Sequence, residues 1–81
     1  MTFLDMLAHF FVNRFPHWEA CGLSFQPDDN TLALHCQTQR NRDVIMRDRA
    51  KLAGLDIGLQ KILVILPGHP DVIIEMDAFA R

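Results

Sequence analysis

The residue types that most often carry out chemistry are few in this sequence. It has four histidines and two cysteines, which are His9, His17, His35, His69, Cys21 and Cys36. None of them stands in a Cys-x-x-Cys or His-x-x-x-His spacing of the kind that binds zinc. The chain also has no glycine-rich phosphate loop and no nucleophile elbow. We therefore predict a protein that is not an enzyme, with no catalytic residue, no metal site and no cofactor.

The two cysteines are predicted to face each other across a β-hairpin. In the favoured register, Cys21 is directly opposite Cys36, and a disulfide fits because opposed residues lie within the usual Cα separation for one. The plainer interpretation is a pair of small buried hydrophobic residues in a reducing compartment. A zinc site is the weakest alternative, since His35 points to the face opposite Cys36.

Basic residues cluster on a predicted second helix between Arg40 and Lys51, which Asn41 can cap and Gly54 can end. On a helical wheel, Arg40, Arg47 and Lys51 form one outward stripe. Such a stripe is what phosphate binding requires, which makes a weak nucleic-acid-binding protein the alternative function. A solvated helix face laced with Asp–Arg pairs is the plainer interpretation.

Length and composition predict one cytoplasmic domain over residues 1–81. The chain has 81 residues, 49% of them hydrophobic, and a formal net charge of -2, which argues against a protein that coats nucleic acid. No apolar stretch approaches the roughly 20 residues that span a bilayer, so no membrane partner is expected. A chain this short is also expected to have little room for a ligand pocket once its core is filled.

The first helix is predicted to begin at a capping box formed by Thr2 and Asp5 and to end before Pro16. Its apolar arc is wider than a surface helix needs, which predicts burial on two sides. Trp18, just beyond the helix, is interpreted as a cap on the edge of the core, with a partner-binding role as the alternative. Phe79, near the other end of the chain, is expected to pack back onto the sheet.

Two hairpins are predicted to follow. Strands 20–26 and 31–37 flank the turn sequence Pro27–Asn30, and strands 61–66 and 71–76 flank Pro67–Pro70. In the predicted register of the second hairpin, Leu63 is opposite Ile74. This register places the apolar residues Ile62, Val64, Leu66 and Ile73 on one face. That face needs cover from a helix or a second subunit.

These elements predict an α+β fold of two layers with the order αββαββ. Its four-stranded sheet consists of two β-hairpins, with two helices packed on it. The sequence does not fix the strand order.

We expect the protein to be a small non-catalytic interaction module, that is, an adaptor, an inhibitor or a regulatory protein. The excess apolar surface predicts a homodimer or a complex with another protein, through a surface of Ile62, Val64, Leu66, Ile73 and Trp18. Aspartate at Val64 or Ile73 should then separate the subunits without unfolding them. The sequence identifies neither the partner nor the biological process.

Overall fold

A computed structural model of the chain describes residues 2–18 and 21–78 and confirms the α+β class. Ala20, the start of the first predicted strand, and Phe79, which is expected to pack back onto the sheet, lie outside these ranges. Within them the chain forms, in order, α1 (Phe3–Arg14), β1 (Gly22–Gln26), β2 (Thr31–His35), α2 (Gln39–Arg47), α3 (Arg49–Ala53), β3 (Lys61–Ile65) and β4 (Val72–Glu75).

Helix α1 begins at the predicted capping box. The Asp5 N–H donates to Thr2 Oγ1 at 3.1 Å, and the Thr2 N–H donates to Asp5 Oδ2 at 3.2 Å. These contacts with the Thr2 backbone and side chain lower the pKa of the Asp5 carboxyl. The helix ends at Arg14, ahead of Pro16, as predicted. It is buried along one stripe only, so the expectation of burial on two sides is wrong; three apolar residues, Phe3, Met6 and Val12, are exposed.

The four strands form one sheet in the order β1-β2-β3-β4. Strands β2 and β3 pair in parallel at the centre, and each hairpin adds an antiparallel outer strand. The first hairpin has the predicted register, with Leu23 opposite Leu34 and Phe25 opposite Leu32. Its turn ends at Asn30, whose positive φ of 52° is tolerated well by asparagine.

The second hairpin is shifted by one residue from the predicted register. Ile62, not Leu63, pairs with Ile74, and Leu63 pairs with Ile73. A shift of one residue moves every side chain of a strand to the other face. The observed register is favoured because it keeps Glu75 off the buried face that carries Ile62. The predicted register would have buried the Glu75 carboxylate on that face.

The core lies between the helices and one face of the sheet. The buried apolar residues of the helices form a single cluster with those of this helix-covered face. Its central members from the strands are Leu32, Leu34, Ile62, Val64 and Ile74, and Leu66 follows directly after β3. Val64 and Ile62 are 0% exposed. The prediction of a partner surface at Ile62, Val64 and Leu66 is therefore wrong, because helices of the same chain cover these residues.

The predicted second helix is divided in two at Asp48. Helix α2 starts earlier than predicted, at Gln39, because Thr38 and not Asn41 is the N-cap; its hydroxyl accepts the Asn41 N–H at 3.1 Å. The Asp48 N–H donates to the carbonyls of Ile45 and Met46, which ends α2. Helix α3 follows at once and ends at Ala53, before Gly54 as predicted.

Candidate functional site

One face of the sheet is not covered by any helix of the described residues. We call it the open sheet face; it consists of Ser24, Gln26, Thr31, Ala33, His35, Lys61, Leu63, Ile65, Ile73 and Glu75. Its middle row runs across all four strands as Ser24, Ala33, Leu63 and Ile73. Ile73 is 58% exposed. Of the residues predicted to form a partner surface, Ile73 is the one on this face.

Polar residues border the apolar centre of the open sheet face. At one end, Lys61 pairs across the strands with Glu75, and Lys61 Nζ also lies 3.8 Å from Asp29 Oδ2. Toward the other end lies the exposed His35, whose Nε2 is hydrogen bonded at 2.8 Å to Ser24 Oγ, the polar member of the middle row. An apolar centre with a polar border is the usual composition of a protein–protein interface.

Trp18, the remaining residue of the predicted partner surface, is half-buried and packs within its own chain. Its ring stacks on Phe15 with centroids 4.4 Å apart and an interplanar angle of 8°, and on Phe11 at 5.7 Å and 18°. This arrangement agrees with the interpretation that Trp18 caps the edge of the core.

A polar cluster around Asp48 joins the segment after α1 to the break between α2 and α3. Asp48 Oδ2 accepts hydrogen bonds from Trp18 Nε1 at 2.8 Å and from His17 Nε2 at 2.6 Å, and Lys51 Nζ lies 4.0 Å from Oδ1. Sequence reasoning missed this cluster, because nothing in the local pattern relates residues 17 and 18 to residue 48.

Two opposing effects act on the protonation of the Asp48 carboxyl, which is largely buried. Burial raises its pKa, whereas the hydrogen bonds from Trp18 and His17 and the charges of His17 and Lys51 lower it. The net pKa lies below the ordinary value of 3.8. The cluster therefore stabilises the fold when the carboxyl is ionised.

We expect Asp48→Asn to lose about 1–2 kcal/mol of stability at pH 7, because hydrogen bonds to an ionised group exceed neutral ones in strength. A carboxyl whose pKa is lower in the folded state stabilises it above the unfolded pKa, and that contribution disappears as the pH falls through the folded pKa. The difference between variant and wild type should consequently shrink below pH 3.8. Urea unfolding, monitored by Trp18 fluorescence, measures this difference in stability at each pH.

The matched control for this prediction is Asp43→Asn, which removes an exposed carboxylate from α2. It should leave stability within about 0.5 kcal/mol of wild type, as most surface substitutions do. A stability loss in Asp48→Asn that stays the same from pH 7 to below pH 3 would contradict the role assigned to the ionised carboxyl.

The predicted basic stripe does not continue along one helix. Arg40 and Arg47 belong to α2, while Lys51 belongs to α3 and interacts with Asp48. Nucleic-acid binding by these three residues stays a prediction, and no geometric feature of the stripe favours it further. A salt titration of binding to duplex and single-stranded probes tests it, since phosphate contacts weaken steeply with salt.

An apolar cavity of about 290 Å³ lies between α1, the segment after it and the first hairpin. Phe11, Phe15, Trp18, Cys21, Leu23 and Leu34 are among the residues that line it. The expectation that so short a chain leaves little room for a pocket is therefore wrong.

Both cysteines are free thiols on the helix-covered face. Cys36 is buried and Cys21 is half-buried. Burial raises the pKa of the Cys21 thiol, and burial together with the nearby Cys21 raises that of Cys36, although Arg42 acts in the opposite direction. The two thiols are thus poor nucleophiles at neutral pH, which agrees with their interpretation as small apolar residues.

No three histidine, cysteine, aspartate or glutamate side chains among residues 2–18 and 21–78 are grouped so that they could hold a metal ion. In the same ranges no helix is long and apolar enough to cross a bilayer. Comparison of the chain with protein-family models, with curated proteins and with solved structures gives no significant match. Any functional conclusion therefore rests on the surfaces and the cavity described above.

Proposed function

We propose that the protein is a small, non-catalytic interaction module of the cytoplasm, acting as an adaptor, an inhibitor or a regulatory protein, and that it is a homodimer. One observation carries the proposal: Ile73, 58% exposed, lies beside the half-buried Leu63 on a sheet face that no described helix covers. Contiguous apolar patches on a protein surface commonly mark binding sites.

A second copy of the chain is the occupant that fits the open sheet face best. Two sheets pack face to face when apolar residues on their inner faces interdigitate. Leu63 and Ile65 are half-buried and Ile73 is exposed, so a sheet placed over them would remove apolar surface from water. Polar residues stand at both ends of this centre, where the border of such an interface would lie.

The charges on the open sheet face are complementary to a copy of the same face. Lys61 and Glu75 are cross-strand neighbours on β3 and β4, and Leu63 and Ile73 form the next pair. A two-fold axis along the boundary between these strands would place Lys61 over the partner's Glu75 and Leu63 over the partner's Ile73. Each contact would then occur twice, once on either side of the axis, as a closed symmetric dimer requires.

This geometry predicts the behaviour of two charge-reversal variants. Lys61→Glu or Glu75→Lys alone should weaken self-association about fivefold to thirtyfold, which corresponds to 1–2 kcal/mol. An equimolar mixture of the two variants should restore association, because each acidic face then meets a basic one. Light scattering over a concentration series and native mass spectrometry measure the dimer and distinguish the mixed species.

Arg47→Glu is the control, since it reverses an exposed charge on the helix side of the molecule and should leave association unchanged. A wild-type chain that remains monomeric at high micromolar concentration would refute the homodimer. A mixture that associates no better than the separate variants would refute the two-fold arrangement, but not the homodimer itself.

A further inference from the structure

The cavity beside α1 is lined by three aromatic rings that are stacked on one another. Phe11, Phe15 and Trp18 all line it, and their rings lie nearly parallel, with interplanar angles of 25° for Phe11–Phe15 and 8° for Phe15–Trp18. Aliphatic side chains of β1 and β2, from Leu23 and Leu34, also line the space. An aromatic ligand can contact the edges or the end of such a stack, and the aliphatic groups around it.

The lining residues that the structure describes offer very little hydrogen bonding to a ligand. The indole N–H of Trp18 donates to Asp48 at 2.8 Å and is not available. The Cys21 thiol also lines the cavity, and burial raises its pKa, so that it is neutral at pH 7. A charged or strongly polar molecule would lose its hydration without gaining partners, which excludes it as a ligand.

The volume limits the size of the ligand. A cavity of about 150 Å³ lined by apolar residues binds benzene, and drug-sized ligands occupy from about 300 to 1,000 Å³. At about 290 Å³ this cavity lies between the two cases. It suits one aromatic ring with a short apolar substituent.

We propose that the cavity between α1 and the first hairpin is a binding site for a small neutral aromatic molecule, which packs against the stacked rings of Phe11, Phe15 and Trp18. This site is separate from the open sheet face, since its lining residues belong to the helix side of the sheet. Ligand binding and self-association can therefore be measured independently.

The test uses propylbenzene as the probe and the full chain as the protein. Trp18 is the only tryptophan of the sequence, so its fluorescence reports directly on the cavity. We expect saturable changes in Trp18 fluorescence and in the amide NMR signals of the lining residues. The probe should also slow the alkylation of Cys21 by iodoacetamide, because it covers the thiol. The buried Cys36 should stay unreactive with and without the probe.

Ala8→Met is the variant that should weaken ligand binding to the cavity. Ala8 lines the cavity on α1, and a methionine fills space there without disfavouring the helix. We expect affinity to fall about tenfold or more, whereas Ala50→Met, at an exposed position of α3, should bind as wild type does. Phenylpropionate, the charged counterpart of the probe, should not bind.

Three results would overturn the proposal. Signals that never saturate would show non-specific partitioning, and equal affinity in Ala8→Met would place the probe elsewhere. Unchanged amide signals at the lining residues, in a chain whose circular dichroism is that of a folded α+β protein, would show that the cavity does not accept the ligand. A fold check on Ala8→Met by the same spectrum separates lost binding from lost structure.

Discussion

Val64→Asp is expected to unfold the protein. Val64 is 0% exposed and lies in the central parallel pair of strands, opposite Leu34 on β2 and Val72 on β4. An aspartate at this position loses apolar packing and buries a carboxyl group that has no partner. The expected cost of about 4–5 kcal/mol or more is comparable with the whole stability of a small domain. Far-UV circular dichroism and urea unfolding measure it.

Val64→Ala serves as the companion variant, because it removes side-chain volume without adding a charge. It should stay folded with a lower urea midpoint. A folded, cooperative Val64→Asp protein would mean that Val64 lies on a surface, and it would contradict the core described here.

Ile73→Asp should have the opposite outcome, namely a chain that stays folded but no longer dimerises. Ile73 is 58% exposed and points away from the core, so its substitution costs little stability in the single chain. In the proposed dimer it would bring a carboxylate into an apolar contact, once from each subunit. We expect the dissociation constant to rise about a hundredfold, which corresponds to about 3 kcal/mol.

Val12→Asp is the matched control for Ile73→Asp. Val12 is 69% exposed on α1, on the opposite side of the molecule from the open sheet face. The substitution introduces the same charge at a similar exposed apolar position and should leave association unchanged. Equal dissociation in both variants would indicate a general effect of charge, and an unchanged dimer in Ile73→Asp would place the interface elsewhere.

The first hairpin could be predicted from the sequence because two independent signals agree. Pro27–Asn30 is a strong turn sequence, and the flanking strands alternate clearly between apolar and polar residues, with Leu23 and Phe25 on one face. A different register would have buried polar side chains. The same reasoning located the start of α1, where Thr2 and Asp5 form a local capping box.

The second hairpin lacked such a constraint. Strand β3 is apolar on both faces, so its pattern does not indicate which face lies inward. The length of the Pro67–Pro70 turn is then the only guide to the register, and it permits an error of one residue. The acidic residue Glu75 on β4 contained the missing information, because only the observed register keeps it away from the core.

The Asp48 cluster and the cavity could not be predicted from local patterns at all. Asp48 resembles any helical aspartate until folding brings His17 and Trp18 to it from the segment after α1. The cavity depends on how α1 lies over the first hairpin, which is a matter of distances between elements rather than of residue types. Sequence periodicity determines which residues face inward, but not how closely the layers meet.

The parallel pairing of β2 with β3 has a kinetic consequence. We expect each hairpin to form first from neighbouring residues, and the two halves of the sheet to join only after the α2–α3 connection has brought β3 alongside β2. Until then both inner strands present bare backbone edges that can pair with another chain. Substitutions that loosen this connection should therefore slow folding and promote aggregation, even where they remove no contact from the finished core.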